Sequence, residues 1–384
     1  MNSSKSEHST LIPPIVTPSR ERTKKKIEKA DGFRIQPIRR LVQVGFLLVI
    51  IWIGVEFTLF VHQLEQGKPP TISRPPGVEG FLPISGLISL RYWILTGVLN
   101  HIHPASAILL LIILVTAVFL KKGFCAWVCP FGLLSDMLDK LHLKIFDRRF
   151  KMPKLLDYPL RSLKYLIMFF FVWAVMVQMN LFDLHQFIYS PYNRVADIKM
   201  FKFFAEMSST TFWTLVILVA LSTLIPYFWC RYLCPYGALL GMLSWLSPLK
   251  IHRNTDTCID CGLCAKACPS HIKVDQEKTV WSDECNACFQ CVDVCPVKDT
   301  LYLSVTQKRF KLSRKAYALI IVLLFLLGTT IARLTGYWQN KISAQEYLYH
   351  IQHLHEPAYY HNQGQVPAYD ENAWQNPHRP KSNR

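Results

Sequence analysis

Five stretches of almost uninterrupted apolar residues constrain the fold of this chain more than any other feature. Each has about 16–22 residues, close to the ~20 that an α-helix needs to cross the hydrocarbon core of a membrane. None shows the amphipathic stripe of a helix on the surface of a soluble protein. We therefore predict an α-helical polytopic membrane protein with about five transmembrane helices. The five stretches are residues 41–62, 104–120, 163–182, 212–229 and 316–331.

A sixth apolar stretch, residues 84–99, is weaker because Gly86 and Arg91 interrupt it. If this stretch were a full span, the segments rich in lysine and arginine would no longer all lie on one side of the membrane. We expect an interfacial or re-entrant helix here, with Tyr92 and Trp93 at the level of the lipid headgroups.

The distribution of positive charge predicts the orientation of the chain. A formal net charge of +17 often indicates a nucleic-acid or anionic partner. Here the lysines and arginines concentrate in three segments, with ten in residues 1–40, ten in 121–164 and twelve in 230–315. The two segments between them have three each, and the C-terminal tail has five. Because cytoplasmic loops are rich in lysine and arginine, we expect a bacterial inner-membrane protein with these three segments in the cytoplasm, and no nucleic-acid partner.

This orientation divides the chain into five predicted regions. The third of them is a small cytoplasmic α+β insert of ferredoxin type, between the fourth and fifth spans. The regions are a basic, disordered cytoplasmic N-terminus (1–40), a membrane domain with four spans (41–250), the two-cluster insert (251–310), a fifth span (311–337) and a periplasmic tail (338–384).

All twelve cysteines belong to two kinds of motif. The first is C-x2-C-x2-C-x3-C-P, which occurs twice and is the bacterial pattern for two [4Fe–4S] clusters. In this pattern the fourth cysteine of each run ligates the other cluster. Zinc is an alternative, although zinc uses two pairs rather than two quartets ending in Cys-Pro, and disulfides are less expected in the cytoplasm. The predicted ligand sets are Cys258, Cys261, Cys264 and Cys295 for cluster 1, and Cys285, Cys288, Cys291 and Cys268 for cluster 2.

The second motif is an internal repeat, C-x3-C-P-[FY]-G. GFCAWVCPFGL, with Cys125 and Cys129, resembles FWCRYLCPYGA, with Cys230 and Cys234. Cysteines at i and i+4 share one face of a helix, and the proline that follows stops that helix or begins the next. Two copies in the same orientation suggest a pseudo-twofold axis that brings the four thiols together. We hypothesise a third site, for an iron–sulfur cluster, copper or a thiol/disulfide pair; the alternative is that these small side chains simply pack between helices.

Together these motifs resemble the NapH/NosR/CcoG-type membrane ferredoxins over about residues 40–335. The stretch from SGLISL (85–90) through His103 to KKGFC (121–125) is most similar to the NapH-type branch. The resemblance implies electron transfer between the membrane quinone pool and a periplasmic cytochrome or iron–sulfur protein, within a larger redox complex. We expect no counterpart of the flavin-bearing domain of the NosR type or of the periplasmic β-domain of the CcoG type.

A quinone site is expected near the outer ends of the helices. Glu56 is an ionisable residue inside the first predicted span, which makes it a functional candidate, with a structural ion pair as the alternative. His101 and His103 could supply a base and hydrogen-bond donors at headgroup depth, or could be ordinary interfacial side chains.

The predicted function is a quinol-oxidising electron-relay subunit. One alternative is a copper-reducing or enzyme-assembly factor that uses the C-x3-C-P thiols, and another is a regulatory redox sensor. We expect the histidine-rich tail to be an ordinary surface segment, with metal binding or partner docking as alternatives. Its histidines are His350, His353, His355, His361 and His378.

Overall fold

The computed structural model describes residues 28–30, 32–150, 152–305, 310–360 and 366–375, most of them helical. The α-helices are α1 (Gln36–Glu65), α2 (Pro83–Thr96), α3 (Pro104–Phe119), α4 (Gly123–Trp127), α5 (Pro130–Phe146), α6 (Lys154–Trp173), α7 (Leu181–Tyr189), α8 (Pro191–Arg194), α9 (Ala196–Ala205), α10 (Ser209–Leu224), α11 (Pro235–Leu243), α12 (Leu263–Ala267), α13 (Gln290–Asp293), α14 (Arg314–Leu334) and α15 (Ala344–Gln352). Short 3-10 helices cover Pro76–Phe81, Pro357–Tyr359 and Ala373–Gln375, and π-helical turns cover Ala174–Gln178 and Trp229–Leu233. Strands β1 (Lys250–Arg253), β2 (Leu301–Ser304) and β3 (Lys311–Leu312) form one antiparallel sheet in that order.

All five apolar stretches form helices, and among the described residues three helices are long and apolar enough to cross a membrane. These are α1, the continuous helix Lys154–Gln178, and α14. Helices α9 and α10 pass the same test as one span bent by 79°. Helix α3 is apolar but has only 16 residues. Helix α3 is not extended further, because Lys121 turns the chain with a φ of 55° just after its C-cap. The count of five spans stays a prediction.

Helix α2 covers the sixth apolar stretch and packs against α3. Its 14 residues rise about 21 Å, which is less than the ~30 Å hydrocarbon core. Gly86 makes this packing possible, since a Cβ atom there would lie 2.9 Å from the backbone oxygen of Ser106. Arg91 donates to the backbone oxygen of Met179, 2.6 Å away, at the end of the second long helix. The interfacial or re-entrant position of α2 stays a prediction.

Helix α1 begins inside the segment 1–40, which we predicted to be disordered. The carboxylate of Asp293 accepts hydrogen bonds from the backbone N–H groups of Ile35 and Gln36, at 2.9 and 3.2 Å. Since the first N–H groups of a helix have no partner within it, this carboxylate caps α1 from the cysteine-rich segment. The predicted disorder is therefore wrong for the last five residues of that segment, and the first 27 lie outside the described residues.

The cysteine-rich segment forms a small unit of two short helices and the sheet. Strands β1 and β2 pair with Ile251 opposite Leu303, which brings the two ends of the segment together. The unit docks on the ends of the long helices through a shared core. There the fully buried Trp127 packs on Phe289 and Tyr317, with ring centroids 6.3 and 5.5 Å apart.

The C-terminal segment packs against the far end of α1. Tyr347 on α15 is 2% exposed and meets Phe60 edge to face, with ring centroids 5.3 Å apart. Glu346 pairs with Arg194, and His350 is buried, with Nδ1 2.5 Å from the hydroxyl of Tyr359. The expectation of an ordinary surface tail is therefore wrong for this part, because its apolar side chains complete a core. His361 and His378 lie outside the described residues.

Candidate metal centres

The eight cysteines of the two C-x2-C-x2-C-x3-C-P runs line two separate cavities. Helix α12 explains why the fourth cysteine of the first run lies at the second cavity. The helix carries Cys264 beside the first cavity, and its C-cap is Cys268, beside the second cavity. This grouping is the same as the two ligand sets expected from the motif, and the binding of a cluster by each set stays a prediction. Cys258, Cys261, Cys264 and Cys295 line a cavity of about 360 Å³, and Cys268, Cys285, Cys288 and Cys291 line one of about 370 Å³.

The chemistry of these donors fits an iron–sulfur cluster. All twelve cysteines are free thiols. In the described part of the chain, no three His, Cys, Asp or Glu side chains lie close enough together to hold one metal ion. Each set of four thiols instead borders one cavity, and four cysteine thiolates are what a [4Fe–4S] cluster takes from a protein.

A third cavity, of about 680 Å³, is lined by all four C-x3-C-P cysteines, Cys125, Cys129, Cys230 and Cys234. The structure therefore brings the two copies of the repeat together around one space. Charged and aromatic side chains complete the walls. They include Lys122, Phe124, Tyr227, Arg231, Tyr236 and Glu284.

The two copies share one backbone hydrogen bond and one helix start. In each, the N–H of the second cysteine donates to the carbonyl five residues earlier, from Cys129 to Phe124 at 3.0 Å and from Cys234 to Trp229 at 2.9 Å. Each second cysteine is the N-cap of a helix whose first residue is proline. Since the N-terminus of a helix favours negative charge, the backbone N–H groups of Gly132 and Phe131 act to lower the pKa of the Cys129 thiol, against the larger effect of burial.

This geometry corrects one expectation and agrees with another. The two cysteines of a motif do not share the face of one continuous helix. The helical segment that holds the first cysteine ends before the second one, at Trp127 in the first copy and at Leu233 in the second. The proline begins the next helix, which was one of the two roles expected for it.

Close contacts hold two of the sulfur atoms in position around the third cavity. The backbone N–H of Gly237 donates to Cys234 Sγ at 3.2 Å, and the hydroxyl of Ser135 lies 3.4 Å from Cys230 Sγ. Gly132 lies so near the first motif that a Cβ atom there would be 1.9 Å from the carbonyl oxygen of Cys125. The position therefore requires glycine.

Burial favours the protonated form of two thiols at the third cavity, Cys129 and Cys230. It raises the pKa of Cys129 to about 12 and that of Cys230 to about 11. At neutral pH these groups would be thiols, and a positively charged metal centre would be required to hold them as thiolates.

Buried charges connect the third cavity to the cysteine-rich segment. Lys122 is 5% exposed, and its Nζ lies 3.8 Å from the carboxylate of Glu284, which also pairs with Lys164. Burial alone would raise the pKa of Glu284, but the ammonium groups of Lys122 and Lys164 outweigh it and bring the pKa to about 2. Glu284 is therefore ionised at every physiological pH.

Among the described residues, no hydrogen bond or ion pair joins the three residues of the expected quinone site. Glu56 is half-buried on α1 and makes no side-chain hydrogen bond or ion pair with another described residue, whereas His101 is exposed. His103 is fully buried, with Nε2 2.6 Å from the carbonyl oxygen of Asn193 and Nδ1 3.3 Å from the guanidinium of Arg74. Both of its ring nitrogens are thus occupied by the protein, and the quinone site stays a prediction.

His103 instead belongs to a buried charge network that sequence reasoning missed. Arg74 pairs with Glu79 at 2.7 Å and with Asp197 at 2.5 Å, and Glu79 also accepts from the backbone N–H of Ser106 at 2.9 Å. Each of these side chains is at most 4% exposed. The network therefore fixes the loop before α2 against α3 and α9, which is a structural role.

Comparisons with known proteins agree with this picture. A family model described as "4Fe-4S binding domain" matches residues 102–153 and 210–254, which contain the two C-x3-C-P motifs. One described as "4Fe-4S dicluster domain" matches residues 251–303. No solved structure matches the chain. These matches and the long apolar helices define an iron–sulfur electron-transfer protein of the membrane.

Curated relatives narrow the class to a family. The chain is 41% identical over 315 residues to the "Putative electron transport protein YccM" of Escherichia coli K12, which covers 80% of this chain and 88% of the relative. It is 30% identical over 198 residues to the "Ferredoxin-type protein NapH" of Haemophilus influenzae (49% and 64%). It is 26% identical over 189 residues to the "Regulatory protein NosR" of Pseudomonas aeruginosa (45% and 24%). The chain belongs to the NapH/NosR-type membrane ferredoxin family.

Proposed function

We propose that this protein is a membrane electron relay that oxidises quinol and passes the electrons through three iron–sulfur centres in line. The observation that supports the proposal is that two of the cavities have lining residues in common. Pro269, Ser270 and Asn286 line both the second ferredoxin-type cavity and the four-cysteine cavity. Two centres on either side of one layer of residues are close enough for electrons to pass between them.

In this proposal the first ferredoxin-type cavity holds the last centre of the line. Helix α12 leads from Cys264 at the first cavity to Cys268 at the second, a rise of about 6 Å. At the far end Cys261 is exposed, and the flanking Ile259 and Leu263 are 46% and 42% exposed. A soluble or membrane-bound redox partner could approach the line there.

The other end of the line reaches the apolar helices. Phe124 lines the four-cysteine cavity and stacks on Phe325 of α14, with ring centroids 6.1 Å apart. Phe325 in turn meets Phe46 of α1 edge to face at 5.6 Å. This aromatic contact joins the four-cysteine cavity to helices that we propose span the bacterial inner membrane, with all three centres on the cytoplasmic side.

Quinol is the electron source that we propose. Oxidation of one quinol to quinone releases two electrons and two protons, and each [4Fe–4S] centre supplies one-electron transfer. Glu56 and His101 remain the proposed residues for the proton at the outer face. His103 would act there through Arg74 and Asn193 rather than by contact with quinol.

The test is reduction of the centres by a short-chain ubiquinol in the purified full-length protein under anaerobic conditions. We expect electron paramagnetic resonance to show reduction of both ferredoxin-type clusters in the wild type. In the double variant Cys125→Ser, Cys230→Ser, those clusters should remain reducible by dithionite but accept electrons from ubiquinol at least about tenfold more slowly.

The matched control is the double variant Cys258→Ser, Cys261→Ser at the far end of the line. It should leave the reduction of the second cluster by ubiquinol unchanged. Ubiquinol reduction of both clusters at the wild-type rate without Cys125 and Cys230 would contradict the relay. Copper reduction by a cluster-free preparation would favour the assembly-factor alternative instead.

A further inference from the structure

We propose that Lys122 sets the reduction potential of the four-cysteine centre by holding an unneutralised positive charge against it. The inference rests on the proposed third centre and adds a role for a residue outside the cysteine motifs. Lys122 lines the four-cysteine cavity and is 5% exposed. A hypothetical Cβ atom on Gly241 would lie 3.7 Å from its Nζ, so the ammonium group is packed between α11 and the cavity.

The acid nearest to Lys122, Glu284, is shared with two other basic side chains. The Lys122 Nζ is 3.8 Å from Glu284, but Lys164 pairs with the same carboxylate more closely, and Arg161 lies 3.3 Å from it. In this described network four basic side chains meet three carboxylates, which leaves one positive charge in excess. The basic members are Lys122, Arg161, Lys164 and Arg231, and the acidic members are Asp157, Asp283 and Glu284.

Arg231, the other cation in the cavity wall, is neutralised. Its guanidinium makes two hydrogen bonds to Asp157, at 3.1 and 3.0 Å, and a third to the carbonyl oxygen of Ser270 at 3.0 Å. We therefore assign the excess positive charge of the network to Lys122, which lines the cavity.

A positive charge in this place favours the reduced state. Four thiolates give an iron–sulfur cluster a net negative charge, and each added electron makes that charge more negative. Potentials of such clusters depend on nearby charge, on hydrogen bonds to sulfur and on solvent exposure. Because the ammonium group is buried, solvent screens it weakly and its attraction for the added electron is strong.

The experiment is a redox titration of the full-length protein, followed by electron paramagnetic resonance. The signal of the four-cysteine centre is assigned by its loss in Cys230→Ser. In Lys122→Met, the ratio of reduced to oxidised centre at a fixed potential should fall about tenfold, which is a shift of 59 mV to more negative potential for a one-electron couple. Lys122→Arg should stay near the wild type, and Glu284→Gln should shift the potential in the opposite direction.

The neighbouring Lys121 is the matched control. It is also fully buried, but its Nζ donates to the carbonyl oxygen of Val280 at 3.0 Å and does not line the cavity. Lys121→Met should leave the potential unchanged. An unchanged potential in Lys122→Met would overturn the role of Lys122 while leaving the centre in place. If Lys122→Met does not assemble, an unshifted potential in Glu284→Gln overturns it equally. A wild type with no third signal would overturn the centre itself.

Discussion

Arg231 and Asp157 form a two-pronged ion pair, with Nε 3.1 Å from one carboxylate oxygen and Nη2 3.0 Å from the other. The pair joins the second C-x3-C-P motif to helix α6. The same guanidinium donates to the carbonyl oxygen of Ser270, two residues after Cys268. One side chain thus connects a long helix, the four-cysteine cavity and a cluster loop.

Removing the charge of Asp157 should loosen this connection. We expect Asp157→Asn to destabilise the docked segment by about 1.5–3 kcal/mol, the usual contribution of a hydrogen bond to a charged group. Iron release to a chelator should become faster. Glu206→Gln is the control, because its pair with Lys202 is exposed and should contribute about 0–1 kcal/mol. Equal rates of iron release in the two variants would contradict the role of this ion pair.

The two glycines that follow the C-x3-C-P prolines offer a second prediction. A Cβ atom at Gly132 would lie 1.9 Å from the carbonyl oxygen of Cys125, whereas at Gly237 the nearest atom is Cys234 Sγ at 3.5 Å. Gly132→Ala should therefore abolish the four-cysteine centre, and Gly237→Ala should retain most of it. Iron content per chain after anaerobic purification measures both. Similar losses in the two variants would show that the geometry of the repeat is not as described.

Acid should release the C-terminal segment from the end of α1. Burial lowers the pKa of His350, so the folded state prefers the neutral ring and loses stability as the pH falls through about 6.5. Burial raises the pKa of Glu346, but His350 and Arg194 outweigh it and lower the pKa overall. The ionised Glu346 carboxylate therefore stabilises the folded state above about pH 4.3, and this stabilisation is lost as the pH falls further.

Hydrogen exchange of α15 between pH 7 and pH 4 measures this release. We expect protection of Ala344–Gln352 to fall with pH, while protection of α1 changes less. Tyr359 and His353 also face this site and should be monitored, because Tyr359 shares a hydrogen bond with His350. Glu346→Gln should shift the loss of protection to higher pH. A protection profile that does not change with pH would contradict the assignment.

Short local motifs made the cysteine sets predictable from the sequence. The crossing of Cys268 and Cys295 between cavities follows from spacing alone, because a loop of a few residues limits where each thiol can reach. That Cys125 and Cys230 lie at one site could only be hypothesised from the sequence, because it depends on how helices distant in the chain pack together. The repeat supplied the signal, and the common cavity supplies the geometry.

Buried charges were the part that the sequence could not reveal. Counting Lys121 and Lys122 as orientation signals treats them as solvated, yet both are buried and contact the cysteine-rich segment. Asp283 and Glu284, in the cysteine-rich segment, pair with Arg161 and Lys164 of α6 rather than facing solvent. The structural role of His103 could not be predicted either, because its partner Arg74 lies in a loop that has no periodic sequence pattern.

The number of iron and acid-labile sulfide atoms per chain tests the central claim most directly. Three four-iron centres predict about twelve of each in the anaerobically purified wild type, and about eight in a variant with serine at Cys125, Cys129, Cys230 and Cys234. A wild type with about eight, unchanged by these four substitutions, would contradict the third centre and with it the proposed line of electron transfer into the membrane.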